Sequence, residues 1–202
     1  MKKLLLLLVL LAAAFAVYWF MFKADDVPEG QKQQALTISK HSAEFNNSFG
    51  TFINGYLELK AAFVEADTTR IIAAGKKFLN LTDGLNISEL KKDTAGIFET
   101  ANAQIGDVKS NAQSLLTQKD ITEMRKDFSM VSESIYPLLK LVHYEGKTLY
   151  WQNCPMAFGE DRGANWISNS EEVVNPYLGK FHPEYKATML HCGEVKDSIT
   201  AD

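Results

Sequence analysis

Between residues 37 and 142, hydrophobic residues recur at helical spacing and are separated by polar positions. In the first predicted helix, aromatic side chains repeat every three, four or seven residues: Phe45, Phe49, Phe52, Tyr56 and Phe63. A stripe this wide on one helix face must be covered by other helices. The pattern therefore predicts a helix that belongs to a bundle.

Two further helices are predicted after a short polar turn. The second begins after Asp67 and ends near Gly84, where a glycine favours termination. The third carries apolar residues at helical intervals from Leu90 to Leu115. Both have one apolar face, so both are expected to pack against the first.

The fourth predicted helix begins at Asp120. Glu123 follows three residues later, the spacing of a capping box, and apolar positions then continue to Leu139. Pro137 predicts a kink or a restart within this helix. Four amphipathic helices joined by short turns predict an all-α fold, an antiparallel up-and-down four-helix bundle over residues 37–146.

After Gly146 the pattern changes, because glycines and prolines stand too close together for long elements. Residues 148–152 have strand-like side chains, and residues 168–174 are expected to form one helical turn. Residues 147–202 are therefore predicted to form a small irregular cap with room for a hairpin. The large side chains expected to dock this cap on the bundle are Tyr150, Trp151, Phe158, Trp166 and Tyr177.

The N-terminus contains an uninterrupted apolar stretch over residues 4–22, preceded by two lysines. As a helix it would be about 28 Å long, which is enough to span a bilayer. The sequence Ala14-Phe15-Ala16 also fits a signal-peptidase site. Residues 1–23 are therefore predicted to be a signal-anchor or a signal peptide, and residues 24–36 a polar linker. Either alternative exports the remainder of the chain.

Composition excludes several classes of function. Of 202 residues, 46% are hydrophobic and 23% are charged, and the net charge is -4. This charge is not basic enough to predict a nucleic-acid partner. The chain contains neither a glycine-rich phosphate loop nor a His-Glu-x-x-His or Cys-x-x-Cys motif. The sequence therefore predicts a binding protein and not an enzyme.

The two cysteines of the chain each have a methionine nearby. Met156 follows Cys154 by two residues, and Met189 precedes Cys192 by three. Thiolate and thioether sulfurs are the ligands that favour Cu(I) and similar soft ions. These four residues are the predicted metal ligands. His191 is a weaker candidate, because in an extended segment it would lie on the face opposite its cysteine neighbour.

A disulfide is the alternative interpretation of the same residues. Two cysteines are an even number, and an exported chain folds where disulfides form and persist. Pairing of Cys154 with Cys192 would then pin the cap, and the methionines would be core residues. The protein would act as a disulfide-stapled interaction module without a metal site.

These motifs resemble a known family. It is the periplasmic domain of unknown function that occurs alone or appended to membrane-fusion subunits of copper and silver efflux pumps in Gram-negative bacteria. The matching segments are Tyr150-Trp151-Gln152-Asn153-Cys154-Pro155-Met156-Ala157-Phe158, Gly163-Ala164-Asn165-Trp166-Ile167-Ser168, Asn175-Pro176-Tyr177-Leu178-Gly179 and Met189-Leu190-His191-Cys192-Gly193-Glu194-Val195. One difference is an insertion, residues 180–188, where the family has only a couple of residues.

The resemblance implies a location, a ligand and partners for this chain. The location is the periplasm, either anchored in the inner membrane by residues 4–22 or released after cleavage. The ligand is Cu(I) or Ag(I), bound in the service of metal resistance. The partners are heavy-metal efflux pump subunits.

Overall fold

The computed structural model describes residues 40–93 and 95–200. The chain divides into two compact units, residues 1–35 and residues 36–202, and the described residues belong to the second. The predicted anchor and the whole of the predicted linker lie outside the described residues. Among the helices of the described part, none is long and apolar enough to cross a membrane.

Four α-helices make up most of the regular secondary structure described in the second unit. They are α1 Ala43–Val64, α2 Thr68–Asp83, α3 Ile97–Thr117 and α4 Ile121–Leu141. Each helix packs against the next one in sequence. The aromatic stripe of α1 also reaches α4, where the rings of Tyr56 and Phe63 both contact Phe128. The prediction of four helices is confirmed.

The helix starts follow the capping signals in the sequence. The side chain of Asp67 accepts a hydrogen bond from the amide of Arg70 at 3.0 Å. Asp120 accepts hydrogen bonds from two amides at the start of α4, including that of Glu123 at 3.3 Å. The side chain of Glu123 pairs with Lys126. Asp120 therefore caps α4 as predicted. Glu123, the second residue of the predicted capping box, forms an ion pair with Lys126.

Two details of the helices differ from prediction. Leu90 does not belong to the third helix but to a separate short 3-10 helix, Ser88–Lys92. Gly96, with φ of 73°, then redirects the chain into α3. Leu90 is fully buried all the same, so the apolar spacing continues across the break. Pro137 lies inside α4, and the helix does not restart there.

The fold is mostly helical, as predicted, but it is not all-α, because the cap contains a three-stranded antiparallel sheet. Its strands are β1 Leu149–Cys154, β2 Ala164–Ser168 and β3 Glu194–Ile199, in the order β2-β1-β3. The register places Tyr150 opposite Ser168 and Asn153 opposite Glu194. The expected helical turn after Ser168 is also wrong, since that segment is a series of bends.

The sheet and the helices share one hydrophobic core. The hydroxyl of Tyr56 lies within 2.7 Å of the Ser132 hydroxyl and accepts a hydrogen bond from the amide of Ile167 at 3.1 Å. Because β2 is an edge strand, this bond satisfies an amide that has no strand partner on that side. On α4, the ring of Tyr136 stacks on Trp151 with centroids 4.3 Å apart.

Candidate functional site

Cys154 and Cys192 meet because of the sheet topology. Cys154 is the last residue of β1, and Cys192 lies two residues before β3. Antiparallel neighbours place the end of one strand beside the start of the other. The two Sγ atoms are 2.8 Å apart, at hydrogen-bonding distance and without a disulfide bond. The structure thus joins the two halves of the predicted motif.

Each methionine lies in a turn next to a strand: Met156 directly after β1, and Met189 in the turn before β3. After β1, the chain turns at Met156, whose carbonyl accepts a hydrogen bond from the amide of Gly159 at 3.2 Å. Before β3, the amide of Cys192 donates to the carbonyl of Met189 at 3.0 Å. Both methionines are half-buried and pack against the core. The end of β1 and the turn after it thus carry one thiol and one thioether, and the turn before β3 carries the other thiol and thioether.

A buried asparagine holds the second turn in place. Asn175 is 0% exposed, its amide donates to the carbonyl of Leu190 at 2.8 Å, and its side-chain Nδ2 donates to the carbonyl of Cys192 at 2.8 Å. Its Oδ1 accepts hydrogen bonds from the amides of Tyr177 and Leu178 at 2.8 and 3.0 Å. Sequence reasoning used this residue only as part of a family motif. The local signal for its role was the Asn-Pro pair, which favours a turn.

Gly193 allows the two turns to approach. Its φ is 138°, a conformation that L side chains rarely adopt. A Cβ at this position would lie 2.5 Å from the carbonyl oxygen of Asn153 and 3.0 Å from the ring of Trp166. A glycine is therefore required next to Cys192 if the cysteines are to meet.

The environment of Cys192 disfavours ionisation of its thiol in the absence of a ligand. Cys154 is fully buried and Cys192 is half-buried. Burial, together with the hydrogen bond to Cys154, raises the pKa of the Cys192 thiol to about 12. Because the thiolate is the metal ligand, a metal that binds Cys192 has to displace the proton of this thiol.

The other candidate ligand, His191, is engaged elsewhere. Its side chain is exposed, and its Nδ1 lies 2.7 Å from the carbonyl oxygen of Val173. Within residues 40–93 and 95–200, no group of three or more His, Cys, Asp or Glu side chains could hold a metal ion. Among the described residues, no histidine, aspartate or glutamate therefore joins the two thiols in such a group.

The insertion at residues 180–188 is a chain of turns between α1 and the candidate site. Its first residue, Lys180, donates its amide hydrogen to the carbonyl of Val64 at 2.9 Å and forms an ion pair with Glu65. His182 stacks on Tyr185 with ring centroids 5.0 Å apart. The turns of residues 180–188 thus lead from the end of α1 to Met189, whose carbonyl still accepts the hydrogen bond from the amide of Cys192.

Comparison with known proteins gives one similarity. A family model described as a protein of unknown function (DUF3347) matches residues 52–147, just under half of the chain. The matched region runs from within α1 to the residues before β1, so it contains none of the four predicted ligands. No curated protein and no solved structure matches the chain. The chain is therefore similar, over its helical part, to a domain of unknown function.

Proposed function

We propose that this protein is an exported binding protein for a soft metal ion, Cu(I) or Ag(I). The observation that carries the proposal is the meeting of two turns, Cys154-x-Met156 and Met189-x-x-Cys192, at a pair of thiols 2.8 Å apart. Sulfur ligands of this kind select soft monovalent ions over the harder cations that carboxylates prefer. Catalysis is not part of the proposal.

The donor set fits such an ion after a small rearrangement. Metal–thiolate bonds of about 2.3 Å in a tetrahedral site place neighbouring sulfurs about 3.8 Å apart. Side-chain rotation at Cys154 and Cys192 would have to open the pair by about 1 Å from its present separation. The metal would drive loss of the thiol protons, offsetting the raised pKa of Cys192. Met156 and Met189 would complete the site.

The proposed location and partners rest on the sequence. Residues 4–22 would anchor a four-helix, up-and-down bundle to the inner membrane with the metal site in the periplasm, or would be cleaved on export. The resemblance of the cysteine motifs supports heavy-metal efflux pump subunits as the partners that receive the ion. In this scheme the protein binds metal as cargo for resistance.

Competition for Cu(I) against a chromophoric chelator tests the proposal. The full chain is kept reduced, and its affinity is compared with that of a Cys154→Ser, Met156→Leu double variant and of Cys192→Ser. Both variants should lose at least about tenfold in affinity, or about 1.4 kcal/mol. Met130→Leu is the matched control, since Met130 is 52% exposed on α4. Unchanged affinity in the double variant would remove the metal site.

A second function is favoured by the sulfur separation itself. A disulfide requires the Sγ atoms of Cys154 and Cys192 to approach to about 2.05 Å, a smaller movement than metal binding needs. On the chain-entropy model, closing this loop would stabilise the domain by about 4 kcal/mol. The protein would then be an interaction module whose sheet is stapled and whose methionines are core residues.

Mass spectrometry distinguishes the two functions. A protein from an oxidising compartment whose mass is lower by two hydrogens, and which takes up no Cu(I) after reduction, would favour the staple. Partner capture would then persist in a Met156→Leu, Met189→Leu variant and would fail after reduction. Uptake of one Cu(I) by the reduced chain would favour the metal site.

A further inference from the structure

A groove of about 820 Å³ lies between the C-terminal half of α1 and the segment that follows β2. Its volume is typical of small-ligand sites, which occupy roughly 300–1,000 Å³. The apolar part of its lining comes from both sides of the groove: Leu57, Ala61 and Val64 of α1, and Val174 and Leu190 across from them. The groove does not include either thiol.

The polar end of the groove contains a buried cation. Lys60 is only 9% exposed, and its Nζ donates to Oγ of Ser168 at 3.1 Å. No carboxylate among the described residues pairs with it. An ammonium has three hydrogens to donate, so two of them remain for other acceptors. Burial lowers the pKa of Lys60 to about 8, which reflects the cost of holding this charge without a counter-ion.

The carboxylates at the rim of the groove are partly neutralised. Glu58 accepts hydrogen bonds from Lys77 at 2.7 and 2.9 Å, and Glu65 forms an ion pair with Lys180. Glu172, the third acidic residue of the lining, is exposed to solvent. The uncompensated charge in the buried part of the groove is therefore positive.

Ser168 offers a second donor beside the lysine. It is 1% exposed, and its Oγ accepts hydrogen bonds from Lys60 and from the amide of Ser170 at 3.2 Å. Both contacts use the oxygen as acceptor, so the hydroxyl hydrogen is left to donate. The wall that carries Ser168 is preformed, because Nε2 of Gln152 donates to the carbonyls of Ser170 and Glu171 at 3.0 and 3.1 Å.

We propose that this groove binds a small organic acid with an apolar tail. The carboxylate would accept hydrogen bonds from Nζ of Lys60 and from the hydroxyl of Ser168. The tail would lie along Leu57, Val64 and Leu190. Charge-assisted hydrogen bonds are stronger than neutral ones, and the anion supplies the counter-ion that the buried ammonium lacks. The proposal is independent of the metal site, since it uses neither the cysteines nor the methionines.

Calorimetric titration of the full chain with hexanoate tests the proposal, with hexanamide as the neutral probe of similar shape. Hexanoate should bind saturably, and hexanamide should bind at least about tenfold more weakly. Lys60→Met should weaken hexanoate binding by a similar factor and leave hexanamide binding unchanged. Lys109→Met is the control, because this exposed lysine of α3 pairs with Asp83 outside the groove. The affinity of the Lys109→Met variant for hexanoate should equal that of the unmodified chain.

Two results would overturn the proposal. One is the absence of saturable hexanoate binding to the unmodified chain. The other is hexanoate binding that Lys60→Met leaves unchanged. Ser168→Ala provides a second variant, with a smaller loss of hexanoate affinity expected, in case the lysine substitution alters the fold. Circular dichroism of each variant verifies that the helices are retained.

Discussion

Replacing Lys60 with methionine should make the protein more stable at neutral pH. Methionine keeps much of the apolar stem of the lysine and removes the ammonium, which is buried against Ser168. Burial lowers the pKa of Lys60 from 10.5 to about 8. A pKa lowered by that much means that protonation of the amine destabilises the folded state by at most about 3 kcal/mol.

The sign of this effect depends on pH. The folded protein holds the proton of Lys60 less tightly than the unfolded chain does. Below about pH 8 the amine is protonated in both states, so the folded state bears the full penalty. Between about pH 8 and 10.5, the unfolded chain binds more protons, and the stability of the unmodified protein therefore rises relative to Lys60→Met. Above about pH 10.5 the advantage of the variant should disappear.

Urea unfolding followed by tryptophan fluorescence measures the difference. The unmodified chain, Lys60→Met and the control Lys109→Met are unfolded at several pH values from about 7 to 10.5, with the cysteines kept reduced. Tyrosines that titrate at high pH are present in all three chains, so they cancel in the comparison. A difference between Lys60→Met and the unmodified chain that does not change with pH would refute the electrostatic explanation.

Three further predictions concern contacts made by the sheet and by the turn that leads into it. Tyr56→Phe leaves the amide of Ile167 without its acceptor, so the free energy of unfolding should fall by about 2 kcal/mol, and a loss under about 0.5 kcal/mol in urea unfolding would contradict this. Hydrogen bonds, first of all the one from Lys140, lower the pKa of the Asp197 carboxyl to about 2. The stability that this carboxylate contributes is therefore present above the usual pKa range of an aspartate, and it is lost as the pH falls through the lowered pKa. Since Asp197 is partly exposed, Asp197→Asn should lower the free energy of unfolding by under about 1 kcal/mol at neutral pH and leave it unchanged near pH 2. Equal losses at both pH values in urea unfolding would argue against the ion pair with Lys140. Gly193→Ala should abolish both oxidative pairing of the cysteines and Cu(I) uptake, and retention of either in mass spectra would show that the Cβ is accommodated.

The helices could be predicted because their signals are local. An apolar stripe such as that of α1 depends on residues within a few turns, and an N-cap such as Asp120 acts on amides two or three residues away. The same local signals failed at Leu90, where helical spacing continues through a 3-10 helix and a break at Gly96. Apolar residues can therefore keep helical spacing, and all face the core, in a segment that is not one continuous helix.

Residues 148–152 were predicted to be strand-like, and they overlap β1, but β3 could not be predicted because it carries little local signal. Only Ile199 of this strand is buried, so the strand lacks the alternation of apolar and polar residues that marks a half-buried strand. It forms because β1 offers an edge on which it can pair, in a register that places Glu194 opposite Asn153. β1 and β3 are far apart in the sequence, so their pairing depends on tertiary contacts, which no short window of sequence contains.

By itself, the sequence determined the helical segments and the chemistry available near the C-terminus: two thiols, each with a thioether within three residues. Only the tertiary structure decided that Cys154 and Cys192 come into contact, since an antiparallel neighbour and a buried asparagine position their turns. It also decided that Lys60, one of several lysines on amphipathic helices, is buried against Ser168, 108 residues away. Spacing along a helix reflects interactions within a few turns, whereas burial of a charge depends on which distant segment packs over it.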